Sequence, residues 1–188
     1  VIAMASVPDF DPNNPVNALD KDRLNRMSAG TYEMGSTIKS FTTAMALDSG
    51  KFTLNSRIDA SRPLVIGRQT IRDFHGKGRV LTLPEVFIFS SNIGSGHEAN
   101  VVGIEGHRAF LKKMGLLDRM QTELPEVARP VEPRVWKKVH SMTISFGHGM
   151  MTTPLQTAVG AAALMNGGKL IEPTFLTRTQ AQADQVAQ

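Results

Sequence analysis

The stretch Tyr32-Glu33-Met34-Gly35-Ser36-Thr37-Ile38-Lys39-Ser40-Phe41-Thr42-Thr43-Ala44-Met45-Ala46-Leu47-Asp48-Ser49-Gly50 decides the reading of this chain. From Ser36 onward, Ile38, Phe41, Met45 and either Thr42 or Ala46 recur at helical spacing, no Pro or Gly interrupts, and Gly50 stands where a helix would stop. The pattern predicts a helix over 36–49 with one buried face. Ser36 and Lys39 are three residues apart, so on that helix they share a face and the lysine nitrogen can reach the hydroxyl.

A serine hydroxyl is a poor nucleophile until a base takes its proton. Lysine can serve as that base only where desolvation or a nearby cation lowers its pKa toward neutrality. Ser36 at a helix start would also meet the positive end of the helix dipole. The spacing alone is weak, since serine followed three residues later by lysine arises about once in a chain of this size by chance. Ser36 as a plain N-cap and Lys39 as a solvent-facing residue is the other reading the spacing allows.

A second polar group lies downstream. Pro84 suits the first turn of a helix running through Val86, Phe87 and Phe89; Ser90, Ser91 and Asn92 break it, and another helix is predicted from about Ile93 to Gly103. A hydroxyl and an amide would thus sit at a turn between two helices, although Ser and Asn clusters are also ordinary helix punctuation. Further helices are predicted over 105–114 and from a Thr153 N-cap and Pro154 through Leu164, ended by Asn166-Gly167-Gly168. Short strands are predicted at 64–66 and 69–71 around Gly67, and a first strand at Val1–Ser6 before the turn-rich segment 8–15. Residues 118–140, with Pro125, Pro130, Pro133 and Trp136, read as a long loop of the kind often tied to function. Leu170–Leu176 reads as a strand or extended segment, and 177–188 as a polar surface element or frayed end.

Composition narrows the classes. The 188 residues are 41% hydrophobic and 20% charged, enough for a real core in one globular domain or a large piece of one. Aromatics make up only 6% against 10 Met and 16 Gly, so aliphatic and Met packing fills the interior. A net charge of +4 and a pI near 9.6 do not make a nucleic-acid binder, because the basic residues are scattered and no run of like sign exceeds two. With no cysteine, disulfides, thiolate zinc sites and thiol catalysis are excluded together. His75, His97, His107 and His140 show no metal-ligand spacing, and neither a metal nor an organic cofactor is called for. No apolar run is long enough to span a bilayer and no signal segment opens the chain. The chain starts without Met in an apolar stretch, which is the expectation for a fragment.

Four blocks carry a resemblance: VIAMASVPDFDPNNP (1–15), YEMGSTIKSFTTAMALDSG (32–50), LTLPEVFIFSSNIG (81–94) and ISFGHGMMTTPLQTAVGAAALMNGG (144–168). With its SxxK and S-x-N elements, the chain resembles, over nearly its whole length, the transpeptidase domain of class B penicillin-binding proteins, the cell-division branch fitting best. The resemblance implies an α/β fold of α+β type, the penicillin-binding protein and serine β-lactamase-like fold. Its helical subdomain would be mainly represented, with the Ser36 helix near its centre, beside an incomplete antiparallel sheet to which Val1–Ser6 belongs.

It further implies Ser36 as the acylated nucleophile, Lys39 as the group that takes its proton, Ser90 as a proton-relay hydroxyl and Asn92 as a substrate-binding amide; Ser91 is the variable middle position. The implied reaction is acyl transfer on peptidoglycan stem peptides in septal wall synthesis. Ser36 attacks the carbonyl between two D-alanines, one D-alanine leaves, and the acyl group passes to a neighbouring strand's amine. β-Lactam antibiotics would imitate the donor, divisome membrane proteins would be partners, nucleic acid would not, and the location would be the periplasmic face of the inner membrane.

Three departures qualify the match. Met34 and Ser40 stand where the family often has proline, at positions without chemistry. His148 replaces the aromatic of a G-Y-G block and reads as a structural substitute at the cleft floor. No K-T-G triplet occurs in the 188 residues. Residues 1–188 are therefore expected to be a partial transpeptidase domain without the K-T-G strand region, the N-terminal anchor and the non-catalytic domain. Since one lost oxyanion donor costs on the order of 100 to 1000-fold, the chain by itself is expected to acylate poorly or not at all. Two rivals remain: a β-lactamase or β-lactam sensor on the same fold, for which no deacylating glutamate can be assigned by motif, and a non-catalytic relative that binds divisome partners.

Overall fold

A computed structural model describes residues 1–187, and its chain falls into two compact units. One comprises 33–114 and 131–151; the other comprises 1–32, 115–130 and the segment from Thr152 onward.

The first of these carries both predicted polar groups. A 3-10 turn, Gly35–Ile38, leads into α1, Lys39–Asp48. The helix forms where its spacing predicts: Ile38, Phe41, Met45, Thr42 and Ala46 are all buried, and Gly50, at φ +68, ends it in a conformation that costs glycine little. Full burial of Phe41 alone is worth roughly 1.5–3 kcal/mol. The difference from expectation is at the start, where Ser36 lies in the tighter 3-10 turn rather than in the α-helix.

Strand β1, Arg57–Asp59, is followed by β2, Leu64–Ile66, and β3, Gln69–Ile71, which form a hairpin around Gly67 with Leu64 opposite Ile71. Strand β4, Val80–Thr82, pairs antiparallel with β1, Ile58 opposite Leu81. These are two separate two-stranded sheets. Ile58, Leu81, Leu83, Val86, Ile93 and Ala46 form one apolar cluster, joined by Ala60, so β1, β4 and the helices share a core.

Helix α2, Leu83–Ile88, starts at a capping box. The Glu85 N–H donates to Thr82 Oγ1 at 3.4 Å, and the Thr82 N–H donates to Glu85 Oε2 at 2.8 Å. Helix α3, Asn92–Val102, and α4, Ile104–Lys113, follow as the sequence predicts. Helix α5, Lys138–Ile144, does not: it lies partly in the segment read as loop. Its β-branched Val139, Thr143 and Ile144 weaken helix propensity, so burial of Ser141, Met142 and Ile144 holds it instead. The preceding residues serve packing. Trp136 Nε1 donates to Glu132 Oε2 at 2.8 Å, Glu132 pairs with Arg108 of α4, and the Trp136 ring meets buried His107 edge-on at 5.6 Å.

In the other unit, α6, Pro154–Met165, begins at Thr153, whose Oγ1 accepts from the Gln156 N–H at 3.1 Å. Gln156 Nε2 donates to the carbonyls of Gly115 and Asp118. An antiparallel bridge joins Tyr32 to Thr152. Val1–Ser6 forms no strand here, contrary to expectation: its residues are mostly exposed and enter no ladder. Apolar composition predicts burial, but a strand also needs a partner for its N–H and C=O groups. Leu170–Leu176 forms no strand and bends at Phe175 and Leu176, and the polar segment 177–188, expected as a surface element or frayed end, carries α7, Gln180–Ala187, Gln188 lying outside the described residues.

Candidate active site

Ser36 and Lys39 meet as their spacing requires. Lys39 Nζ donates to Ser36 Oγ at 3.2 Å, to Ser90 Oγ at 2.8 Å and to the Ser90 carbonyl at 2.6 Å, and Ser90 Oγ donates to Ser36 Oγ at 3.3 Å. Three polar groups thus close a triangle, one corner of which comes from 51 residues along the chain. The solvent-facing alternative for Lys39 is excluded, because the residue is 3% exposed.

Burial pushes the Lys39 amine below the ordinary lysine range, since desolvation disfavours the ammonium; the negative charge of Asp73 pulls the other way. The two-helix turn is built to reach this nitrogen. Ser90 has φ +52, and it is the only non-glycine residue with positive φ among the described residues. Such a backbone costs about 1–3 kcal/mol and persists only where its surroundings fix it. Here they do: the Ser91 N–H donates to the Val86 carbonyl at 2.9 Å, and Lys39 holds both oxygens of Ser90.

Asn92 opens α3, and its Nδ2 donates to the Arg72 carbonyl at 3.0 Å, which fixes the amide plane. Two residues given no role by sequence frame this turn. Ser91, the variable middle position, is the N-cap of α3: its Oγ accepts from the Gly94 N–H at 2.9 Å and donates to Asp73 Oδ2 at 2.8 Å. Asp73 Oδ1 accepts from the Ile93 N–H at 2.9 Å. A serine just before a predicted helix is the N-cap signal that could have found Ser91; nothing local to Asp73 signals a contact 20 residues away.

The glycine block 147–149 abuts the nucleophile's turn. Gly147 has φ +92, and a Cβ there would fall 2.0 Å from the Gly35 carbonyl oxygen, so only glycine permits the approach. His148, expected as a structural substitute at the cleft floor, has a side chain that is 63% exposed, with its Nδ1 3.1 Å from Glu33 Oε2. Thr42 Oγ1 donates to the Ser145 carbonyl at 2.7 Å, tying α1 to the same segment. Among the described residues, no group of three or more His, Cys, Asp or Glu side chains could hold a metal ion.

Known proteins resemble this chain over most of its length. The family profile "Penicillin binding protein transpeptidase domain" matches residues 1–188. The chain is 45% identical over 170 residues to "Probable peptidoglycan D,D-transpeptidase FtsI" of Caulobacter vibrioides, covering 90% of this chain and 29% of that protein. It is 29% identical over 186 residues to "Peptidoglycan D,D-transpeptidase FtsI" of Escherichia coli, covering 95% of this chain and 30% of that protein. Among solved structures, the "Apo structure of TP domain from Burkholderia pseudomallei penicillin-binding protein 3" superposes with a TM-score of 0.79 at 28% identity over 84% of this chain and 48% of the other.

The chain therefore belongs to the penicillin-binding protein transpeptidase domain family. Within it the relatives are class B transpeptidases of the FtsI and PenA kind, and the chain spans about 30% of the length of these curated relatives. Its α+β fold is that of the family.

Proposed function

We propose that the protein carrying this chain is a serine D,D-transpeptidase that cross-links peptidoglycan stem peptides in septal wall synthesis, with β-lactams as covalent inhibitors. The observation that carries the reading is the buried Lys39 nitrogen bonded at once to Ser36 Oγ and Ser90 Oγ. The neutral amine accepts the Ser36 proton while its N–H groups keep both bonds to Ser90. Ser36 Oγ then attacks the carbonyl of the penultimate D-alanine. The C–N bond breaks, and the leaving amine collects the proton from Lys39 through Ser90 Oγ. The acceptor amine next attacks the acyl-serine, the ester C–O bond breaks, and Ser36 regains a proton by the same route. Asn92, with its amide plane set by Arg72, binds a peptide amide of the donor.

The names of the relatives support the substrate class, peptidoglycan. That substrate places the reaction outside the cytoplasmic membrane, with divisome membrane proteins as partners. Among the described residues, no helix is long and apolar enough to cross a membrane. Mass spectrometry after incubation with a penicillin tests the reading: the adduct forms on the wild type and is lost in Ser36→Ala.

A further inference from the structure

Glu33 lies three residues before Ser36 and reaches across the fold. Its Oε1 accepts the Gly149 N–H at 2.7 Å, and its Oε2 lies 3.1 Å from His148 Nδ1, over sequence separations of 116 and 115 residues. Between these two bonds, the Gly147 backbone rests on Gly35, close enough that a Cβ would overlap the Gly35 carbonyl. Residues 33–35 and 147–149 are thus joined at two levels, carboxylate to amide and ring on one side, backbone to backbone on the other.

The two arms of Glu33 differ in weight. The His148 contact is exposed, 63% on one side and 41% on the other, and an exposed contact of this kind weighs little. The Gly149 bond is short and charge-assisted, a stronger class of contact. It is also the main cause holding the Glu33 carboxyl below its ordinary range, His148 adding to it. Glu33 is therefore ionised at neutral pH and bound chiefly to backbone.

Ser36 follows Gly35 directly, and its Oγ stands 3.2 Å from Lys39 Nζ and 3.3 Å from Ser90 Oγ, at the long end of hydrogen-bond range. Little slack remains before the proton path opens. We infer that Glu33 is a positioning residue for the nucleophile: by clamping the Gly147–Gly149 turn onto Gly35, it sets the reach of Ser36 Oγ to Lys39 and Ser90. The inference rests on the reading of Ser36 as the acylated serine. His148 is the minor arm of the clamp.

Stopped-flow acylation of the protein carrying this chain by a penicillin, resolved into the pre-acylation binding constant and the acylation rate, tests it together with thermal melting. Glu33→Ala is expected to slow the acylation step by about tenfold to a hundredfold, the scale of a small misplacement of reacting groups, with binding nearly unchanged and a rate loss beyond what any fall in melting temperature explains. Glu33→Gln, which keeps an acceptor for the Gly149 N–H, is expected to recover most of that rate. His148→Phe is expected to lose less than about fivefold, the ceiling for an exposed pair. Wild-type acylation rates in Glu33→Ala, or a loss that only tracks melting temperature, would overturn the clamp while leaving Ser36 as nucleophile. A wild type that takes no adduct, or one that persists in Ser36→Ala, would overturn the reading of the site and the inference with it.

Discussion

A lysine amine in water holds its proton to about pH 10.4 and cannot act as a base near neutrality. Lys39 escapes this because α1 turns it into the core against the Ser90 turn, where burial favours the neutral amine. Asp73 opposes that effect from the segment after β3 while also bonding Ser91 and the Ile93 amide. If neutral Lys39 takes the Ser36 proton, acylation should rise with pH through the lowered Lys39 pKa. Asp73→Asn removes the charge that favours the ammonium, so the rise should move to lower pH. A pH profile of acylation in the two proteins reads this directly, and an unmoved midpoint would deny Asp73 its electrostatic part.

At the scale of elements, the site is an assembly of ends: the 3-10 turn before α1, the turn between α2 and α3, and the glycine block after α5. Helices α1, α2 and α6 were legible, because Phe41 and Met45, Pro84 and the Thr153-Pro154 pair are local signals read within one turn, whereas α5, whose burial depends on distant partners, was not. The ends were not legible to the same degree. That Ser90 adopts a left-handed backbone, or that Asp73 caps α3 from outside it, depends on contacts far along the chain. The contact of His148 with Glu33, 115 residues away, was hidden for the same reason. Gly147 is where ends meet most tightly, at φ +92 against the Gly35 carbonyl. Gly147→Ala should therefore lower melting temperature and slow acylation together, by roughly 100-fold for a displacement near 1 Å. Wild-type behaviour in both assays would mean that Gly147 and Gly35 leave room for a Cβ between them.

For the molecule as a whole, the family was readable from four blocks in order, while the predicted first strand failed. Apolar residues at Val1–Ser6 say nothing of what pairs with them. Nor does composition reveal Glu98, on α3, which is wholly buried with neither carboxylate oxygen in a hydrogen bond of normal geometry. Burial pushes its pKa up to about 8, with the Thr43 hydroxyl a small opposing influence. The folded protein therefore keeps a proton that the unfolded chain releases above its ordinary value of 4.5. Between these values, stability should fall as pH rises, by up to about 1.4 kcal/mol per pH unit, and level off above the folded value. Glu98→Gln should remove that slope. Denaturant unfolding from pH 5 to 8 checks it, and parallel curves for the two proteins would contradict the buried, protonated Glu98.

All of the chemistry proposed here converges on one atom, Ser36 Oγ, and peptide mapping of the penicillin-treated protein carrying this chain tests that most directly. A single penicilloyl adduct is expected on the peptide containing Ser36, absent in Ser36→Ala and slowed roughly 100 to 10,000-fold in Lys39→Ala, the usual contribution of a positioned base. An adduct on any other residue, or none on the intact wild type, would contradict it.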